Sequence, residues 1–558
     1  MIPRTTGYLR SKSFRKDGVA GLVLGIESVP DGLASGLLAG VNPVSGLYAY
    51  LFGMAGAAMF TGSSFMAVQA TGAMALIVSD TDLASRPDSD RALYTLAMLT
   101  GVIMLVAGLL RGGRLLRFVP TAVMTGFVTA VGVNIVLGQL ANFTGGVGFG
   151  DNRLTRALDL LLNFRLFDLA TFFVGILTLG LILWLTRTRL RSFGLVVAVA
   201  VGSFAAWLLN ELAGLAVPVV ADIAEVPSGL PLPVLPSLDD VAYLLLPALS
   251  LAFVGLIQGA AVSAGVPNPD GKPVDASRDF IGQGVGNLVA GLFRGMPVGG
   301  SMSASGLYAS AGARTRFGLI IGAIVMTLVV LFASAPVSMV AMPSLAALLI
   351  VVGYETIKPA QIRSIAGTGA FQTSVMAVTF VLTLIVPLQF AVIIGVGVGT
   401  ILFVAEQSNR LRVRQIHFTS DGRRRESAPV ATVGQDEVIV LQPYGSLFFA
   451  SAPVLEAQLP KVDEHTRNAA VILRLRGIDH IGLSHVEVLT RYAGELSGAQ
   501  SSLDVIVTSD RVLAHLRIGG LVAVIGDDRV HRGTEWLGDT VRSVYETAAQ
   551  RVRDANGA

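Results

Sequence analysis

Cysteine is absent from the 558-residue sequence, and charged residues are scarce, at 14% of the chain. Without cysteine, the protein has no disulfides, thiolate metal ligands or cysteine nucleophile. Soluble globular proteins carry about 25% charged residues, so the low charge excludes an ordinary soluble fold for most of this chain. What remains is apolar, since 53% of the residues are hydrophobic and the mean hydropathy is +0.67. This composition predicts a protein built largely for the lipid bilayer.

The basic residues exceed the acidic ones only slightly, giving a formal net charge of +3. They occur in short clusters beside apolar runs, which is typical of the cytoplasmic loops of membrane proteins. We therefore expect no nucleic-acid partner. The six histidines show no metal-ligand spacing, and no strand–GxxxxGK[ST]–helix unit for ATP occurs. The sequence thus predicts no enzyme, no cofactor and no metal site.

Apolar runs of the length needed to cross a bilayer recur along the first 405 residues, and we count fourteen. With a cytoplasmic N-terminus, the loops after even-numbered segments face the cytoplasm, and they hold the basic clusters at 111–117, 187–191, 314–316 and 358–363. The outward loop 211–240 contains no Lys or Arg. We therefore predict a multi-pass protein of the cell (inner) membrane with both termini cytoplasmic. The segments lie near 18–39, 44–61, 65–80, 91–111, 115–140, 166–186, 192–210, 241–264, 277–293, 298–312, 316–335, 342–356, 371–386 and 388–405.

The third and tenth segments are too short to cross as full helices, and Gly-rich polar stretches precede them. They occupy corresponding positions in two seven-segment halves and run in opposite directions, so their helix N-termini would meet near the bilayer midplane. Free N–H groups and positive dipole ends make such termini anion sites. The alternative is that the small residues only allow close helix packing. The predicted substrate-binding residues are Gln69, Ala70, Thr71, Gly72, Gly300, Ser301, Met302, Ser303, Ala304 and Ser305.

Two acidic residues, Glu27 and Asp31, lie within the first apolar segment, one helical turn apart. A carboxylate in the membrane is costly and suggests a function. We consider both residues, with Gln258 of the eighth segment, as candidates for binding a coupling proton or sodium ion. The alternative is structural: Asp31 lies at a helix boundary, where it is in contact with water or caps backbone, and Glu27 pairs with a basic residue.

The composition changes after Glu406, where charged residues become frequent. Residues 407–436 form a basic linker, and 437–555 alternate strand-like and helical patterns, which predicts a small α/β domain. The preceding chain divides into a cytoplasmic N-terminal segment, 1–17, and a transmembrane transport domain, 18–406.

Three stretches resemble the SulP (sulfate permease) family of anion transporters: 29–34 (VPDGLA), 38–48 (LAGVNPVSGLY) and 297–303 (PVGGSMS). The C-terminal domain is similar to the STAS domain that commonly follows these transporters. The resemblance implies an α-helical fold with a uracil-permease-like 7+7 inverted repeat. Segments 1–4 and 8–11 would form a core domain and segments 5–7 and 12–14 a gate domain. It also implies an elevator-like motion and a homodimer.

The sequence departs from the family pattern at several positions. Asp31 stands where members often have Gln, and Gln258 where many have an acid. Ala304 lies near the position of an Arg in animal relatives, so we expect no fixed side-chain cation at the anion site. Ile481 occupies the position of the phosphorylated Ser in STAS regulators, which argues against that modification.

The sequence therefore predicts secondary active transport of a small inorganic or carboxylate anion (sulfate, bicarbonate, chloride or dicarboxylate), coupled to H+ or Na+. Three alternatives remain at this point. One is a membrane-anchored STAS sensor, one is an uncoupled anion channel, and one is a nucleobase permease of the same fold.

Overall fold

The computed structural model describes residues 12–557 except 114–119, 151, 189–192, 224, 227, 270, 272–273, 420–422, 535 and 537. The chain divides into two compact units, which we call the N-terminal unit (Met1–Gly399) and the C-terminal unit (Thr400–Ala558). Most of the predicted N-terminal segment, residues 1–11, lies outside the described residues. So do four arginines used for the predicted topology, namely Arg114, Arg117, Arg189 and Arg191.

The N-terminal unit is helical, and a helix or short helix lies at each of the fourteen apolar segments. The last of these helices continues past Gly399 to Ser408. Local signals set several helix starts. Before α2, for example, the Asn42 side chain accepts a hydrogen bond from Val44 N and Pro43 fills the first helical position. The helices are α1 (Lys12–Leu38), α2 (Pro43–Ala58), α3 (Gly72–Asp80), α4 (Ser89–Leu109), α5 (Thr121–Thr144), α6 (Arg153–Leu162), α7 (Leu169–Leu185), α8 (Gly194–Ala213), α9 (Val241–Gly265), α10 (Ala276–Leu292), α11 (Met302–Ser310), α12 (Phe317–Phe332), α13 (Ser334–Ser338), α14 (Met342–Thr356), α15 (Pro359–Ala366), α16 (Ala370–Ile385) and α17 (Leu388–Ser408).

Six helices of the described residues are long and apolar enough to cross a bilayer, and three shorter ones are also apolar. The six are Ser13–Leu38, Ser89–Leu109, Thr121–Thr144, Gly194–Ala213, Leu238–Ser263 and Met342–Ala366, and the shorter three are Leu169–Leu185, Phe317–Phe332 and Ala370–Ile385. Length and composition together indicate a multi-pass membrane protein.

The two short helices, α3 and α11, are each preceded by a buried strand. Strand β1 (Ala67–Gln69) pairs antiparallel with β2 (Gly299–Ser301), so that Val68 lies opposite Gly300. This pairing satisfies backbone N–H and C=O groups that lipid could not satisfy. Glycine in β2 permits a close approach to α9, because a Cβ on Gly300 would lie 3.2 Å from the Cα of Gly259.

The helices pack in two groups. In the first, α4 and α2 pack on α10, α1 packs on α2 and α12, and α9 packs on α4 and β2. In the second, α5 packs on α14 and α16, and α7 packs on α8 and α14. Small residues allow the closest approach, since a Cβ on Gly21 or Gly25 of α1 would lie 2.4 or 2.7 Å from a carbonyl oxygen of α12.

The C-terminal unit is an α/β fold around a six-stranded sheet with strand order β4-β3-β5-β6-β7-β8. The pairs from β5 to β8 are parallel, while β3 pairs antiparallel with β4 and β5. Apolar cores lie on both faces of the sheet. The strands are β3 (Arg412–Phe418), β4 (Arg424–Ser427), β5 (Val438–Tyr444), β6 (Ala470–Leu475), β7 (Ser502–Val507) and β8 (Val530–Arg532), and the helices are α18 (Ala452–Gln458), α19 (Leu483–Gly498), α20 (Asp510–Ile518), α21 (Leu521–Ile525) and α22 (Asp539–Gly557).

The segment 407–436, predicted as a linker, differs from that expectation. It contains strands β3 and β4, which extend the sheet, so the folded unit begins before residue 437. Its basic residues suggested a linker, but Val413 and Ile416 between them are buried in the two apolar cores on opposite faces of the sheet. A strand covered on both faces does not show a simple alternation of apolar and polar residues.

Candidate functional site

The N-terminal ends of α3 and α11 open into one cavity of about 290 Å³. Because β1 and β2 pair, the two helices start side by side. Seven of the ten predicted substrate-binding residues line this cavity, together with Asp31 and Gln258. The seven are Ala70, Thr71, Gly72, Gly300, Ser301, Met302 and Ser303.

A hydroxyl residue caps each short helix. Thr71 Oγ1 accepts a hydrogen bond from Met74 N at 3.4 Å and donates one to Gln258 Oε1 at 3.0 Å. Ser301 Oγ accepts from Ala304 N at 3.3 Å and lies 3.2 Å from Ser303 Oγ. The N–H groups of the first helical residues have no acceptor inside their own helix. Each helix therefore presents free N–H donors, hydroxyls and a positive dipole end to the cavity.

Such an arrangement is chemically suited to an anion, because N–H and O–H donors replace its hydration shell without a metal. The cavity also has a cation that sequence reasoning missed. Lys358, beyond the end of α14, lines it together with Glu355. The expectation that no side-chain cation would mark the site thus holds for Ala304 but not for the cavity as a whole.

The other three predicted substrate-binding residues do not face the cavity but support it. Gln69 is fully buried and its Nε2 donates to Ser28 Oγ at 2.8 Å. Ser305 is also fully buried, and its Oγ accepts from Ala67 N at 2.9 Å, which ties α11 to β1. Ala304 is 8% exposed.

The two acidic candidates have different surroundings. Asp31 lines the cavity, and the Tyr50 hydroxyl donates to its Oδ2 at 2.7 Å, so Asp31 is not the backbone cap of the structural alternative. Glu27 does not line the cavity, and its Oε2 is buried with no hydrogen-bond partner among the described residues. Asp31 and Glu355 are near enough to Glu27 to interact with it electrostatically. The ion pairs among the described residues do not include Glu27, so the alternative of a basic partner stays a prediction.

Helix α10 carries two polar residues that hold the start of β2. Gln283 Oε1 accepts from Gly300 N at 3.1 Å. Asn287 binds Val298 twice, accepting from its N–H at 2.9 Å and donating to its C=O at 2.6 Å. Sequence reasoning missed both residues. The available signal was their i, i+4 spacing, which places two amides on one face of an otherwise apolar helix.

Comparison with known proteins gives a consistent result. The profile of the Sulfate permease family matches residues 14–379. The putative sulfate transporter YvdB of Bacillus subtilis (strain 168) is 24% identical, covering 94% of this chain and 97% of that protein. The bicarbonate transporter BicA of Picosynechococcus sp. is 25% identical and covers 86% of each chain. The family is one of transporters, which agrees with the prediction that the chain is not an enzyme.

Solved structures share the fold. The murine Solute Carrier 26 family member A9 anion transporter in the inward-facing state superimposes with a TM-score of 0.82 at 18% identity, covering 98% of this chain and 93% of that one. The transmembrane domain of the cyanobacterial bicarbonate transporter BicA gives a TM-score of 0.60 at 24% identity, over 68% of this chain and 98% of that one.

Proposed function

The chain belongs to the sulfate permease family, and from this premise we propose that it moves small anions across the membrane by secondary active transport. The substrate is of the sulfate, bicarbonate, chloride or dicarboxylate class. One observation carries the proposal: the capped N-termini of α3 and α11 lie side by side at a single cavity. Relatives named as sulfate and bicarbonate transporters support the choice of substrate class.

The anion binds between the two helix ends. Free N–H groups of the first turns, with the hydroxyls of Thr71, Ser301 and Ser303, donate to its oxygens. The Oε1 of Gln258 already accepts from Thr71, which fixes the orientation of that hydroxyl. Lys358 attracts anions toward the cavity through its positive charge.

Transport follows from the two packing groups of helices. We propose fourteen membrane segments as a 7+7 inverted repeat, with the first group as core and the second as gate. The site belongs to the core, while Val131 and Ile135 of α5 and Val352 of α14 complete the cavity from the gate. An elevator-like shift of the core against these apolar surfaces would carry the anion from one side to the other.

The carboxyl groups near the site provide the coupling. Asp31 lines the cavity and Glu27 lies one turn before it, with one buried oxygen unpartnered. A proton or sodium ion on these groups would offset the negative charge of the entering anion. Gln258, in α9, is neutral and serves to orient Thr71.

The remaining proposals concern the whole protein. We propose that the C-terminal unit is a STAS domain and that the protein forms a homodimer. We also propose that it resides in the cell (inner) membrane with both termini cytoplasmic.

The test is uptake into proteoliposomes of radiolabelled sulfate, bicarbonate, succinate and fumarate, each with an imposed proton or sodium gradient. We expect one of these anions to accumulate above its equilibrium level under one of the gradients. Uptake that only equilibrates would indicate an uncoupled channel. No uptake of any anion, from protein that is monodisperse and correctly inserted, would contradict the proposal and favour a membrane-anchored sensor.

A further inference from the structure

A second cavity, of about 400 Å³, lies beside the C-terminal end of α3, whereas the cavity described above lies at its N-terminal end. We call it the outer cavity, because the proposed topology places that end of α3 outside. The two spaces are separated at Gly72, where a Cβ would lie 2.3 Å from Ile135 Cδ1 and 3.8 Å from Leu38 Cδ2. Among the residues that line the outer cavity are Ser79, Gln139, Asn142, Arg153 and Arg156.

The charged side chains that line the outer cavity are both arginines, Arg153 and Arg156 of α6. They lie three residues apart and therefore on one face of the helix. Arg156 donates from Nε to Gly150 O at 2.9 Å and forms no ion pair with any described residue. Arg156 is exposed, so its charge is accessible to an ion that enters the outer cavity.

Arg153 has an acidic partner, Asp80, the last residue of α3. Their Nη2 and Oδ1 atoms are 2.7 Å apart, and both side chains are largely covered, at 21% and 13% exposure. The other carboxylate oxygen of Asp80 accepts from Leu388 N at 2.7 Å. Asp80 thus joins the core helix α3 to two elements outside the core, α6 and the start of α17.

We infer that the outer cavity is a second anion-binding site, anchored by Arg156 and completed by Arg153 when it leaves Asp80. The ligand class is a small oxyanion, because two guanidinium groups on one helix face offer paired N–H donors that match oxyanion geometry. Ser79, Gln139 and Asn142 supply further polar groups. The inference rests on the proposed function, in that the site takes the class of anion the protein moves.

The arrangement has a mechanical consequence. An anion in the outer cavity competes with Asp80 for Arg153, so its arrival weakens the tie between α3 and α6. Movement of the core against the gate must break that same tie. The anion would therefore favour the movement that exposes the transport site to the outside.

The test uses the absence of cysteine from the chain. Ser79 is an exposed residue of the cavity wall, so Ser79→Cys provides a single reactive thiol there, which we call the cavity thiol. In purified, detergent-solubilised full-length protein, its modification rate is measured with anionic sulfonatoethyl and cationic trimethylammonioethyl methanethiosulfonate. Ser338→Cys, on the partly exposed end of α13, provides the control thiol.

We expect the ratio of the anionic to the cationic modification rate to be roughly fivefold higher at the cavity thiol than at the control thiol, since local positive charge concentrates anions. Arg156→Gln should remove this preference, and Arg156→Lys should retain most of it. Modification of the cavity thiol should be slower in sodium sulfate than in sodium gluconate of equal ionic strength. Modification of the control thiol should be the same in both salts. Asp80→Asn should lower by severalfold the sulfate concentration that half-protects the cavity thiol, because Arg153 loses its acidic partner and becomes available to the anion.

A preference that survives Arg156→Gln, or sulfate protection equal at both thiols, would overturn the inference. Protection by phosphatidylglycerol but not by sulfate would also overturn it, by assigning the cavity to a lipid headgroup. None of these measurements involves transport. If these thiol measurements contradict the inference while anion uptake is intact, only the outer anion site is removed. If uptake is lost while sulfate still protects the cavity thiol, the result counts against the transport proposal instead.

Discussion

Glu27 in the N-terminal unit and Asp504 in the C-terminal unit are both carboxylates withdrawn from water, but their surroundings are opposite. Asp504, 1% exposed on β7, receives His531 Nε2 at 2.9 Å and Arg551 Nη2 at 2.8 Å, with Arg529 Nη1 at 3.4 Å. Glu27 has a buried oxygen with no partner among the described residues. Its electrostatic neighbours are acids, Asp31 and Glu355.

The difference is between a carboxylate held by basic groups and one with an unpartnered oxygen beside other acids. Burial alone would raise the pKa of Asp504, but the hydrogen bonds from His531 and Arg551, with the charges of Arg551 and Arg529, outweigh it and hold the pKa below the usual value. Such a group contributes to folding. A buried carboxylate oxygen without a partner is unfavourable to folding, and for that reason we propose a function for Glu27.

The largest effect should follow from removing the paired carboxylate. Asp504→Asn leaves three basic groups around a neutral amide, and breaking a buried ion pair from one side costs about 3–5 kcal/mol. We expect hydrogen exchange of the β6 and β7 amides in the full-length protein to accelerate by a factor of a hundred or more. Asp510→Asn is the matched control, because its partner Arg532 and the Asp510 side chain itself are mostly exposed. Equal hydrogen-exchange rates in the two variants would mean that Asp504 contributes no more to stability than an exposed ion pair does.

Lowering the pH should separate the contributions of His485 and Asp504, two buried groups, to the stability of the C-terminal unit. Burial lowers the pKa of His485 to about 4, so the unfolded chain, with a histidine pKa near 6.5, binds the proton first and stability falls between these values. The stability from Asp504 is present above its unfolded pKa of about 3.9 and is lost as pH falls below that. Hydrogen exchange, corrected for intrinsic rates, should show two steps. His485→Gln should remove the upper one, and a single step unchanged by this variant would contradict the assignment.

Replacing the unpartnered carboxylate should affect transport and not folding. Glu27→Gln keeps the size of the side chain and removes its charge, so melting behaviour should be unchanged or improved. For the anion and gradient identified by uptake, accumulation should fall to equilibrium. With one coupled proton and an imposed gradient of one pH unit, the accumulation ratio of the anion would fall by about tenfold. Unchanged gradient dependence would remove Glu27 from the mechanism.

A smaller effect is expected at Asp31, which has a hydrogen-bond donor in Tyr50. Asp31→Asn preserves an acceptor for that hydroxyl, so the packing of α1 on α2 should survive. We expect accumulation to fall by severalfold rather than to vanish. If Asp31→Asn abolished accumulation while Glu27→Gln did not, Asp31 and not Glu27 would be the main coupling residue. Asp31 would then be the carboxylate to contrast with Asp504.

Much of the site was predictable because its chemistry is local. Short apolar segments behind Gly-rich polar stretches indicated α3 and α11, and Thr71 and Ser301 stand where helix-capping residues belong. The α/β character of the C-terminal unit followed from its alternating strand and helix patterns. These features depend on neighbours within a few residues.

What escaped prediction depends on contacts between distant parts of the chain. Tyr50 reaches Asp31 across a helix interface, and Lys358 enters the cavity lining from beyond α14. Tyr50 does not stand out in its own segment, and Lys358 was interpreted only as part of the basic cluster at 358–363. The strand Arg412–Phe418 was missed for another reason, since its basic residues suggested a linker.

The central claim is that the anion binds at the ends of α3 and α11, and two serines of α11 test it most directly. Ser303 lines the cavity, whereas Ser310 is exposed at the opposite end of the same helix, where its hydroxyl donates to Leu307 O. A hydrogen bond to a charged group contributes about 1.5–3 kcal/mol, so Ser303→Ala should weaken equilibrium binding of the transported radiolabelled anion by roughly tenfold or more. Ser310→Ala should leave binding unchanged. Equal affinities for both variants and the parent protein would contradict the claim.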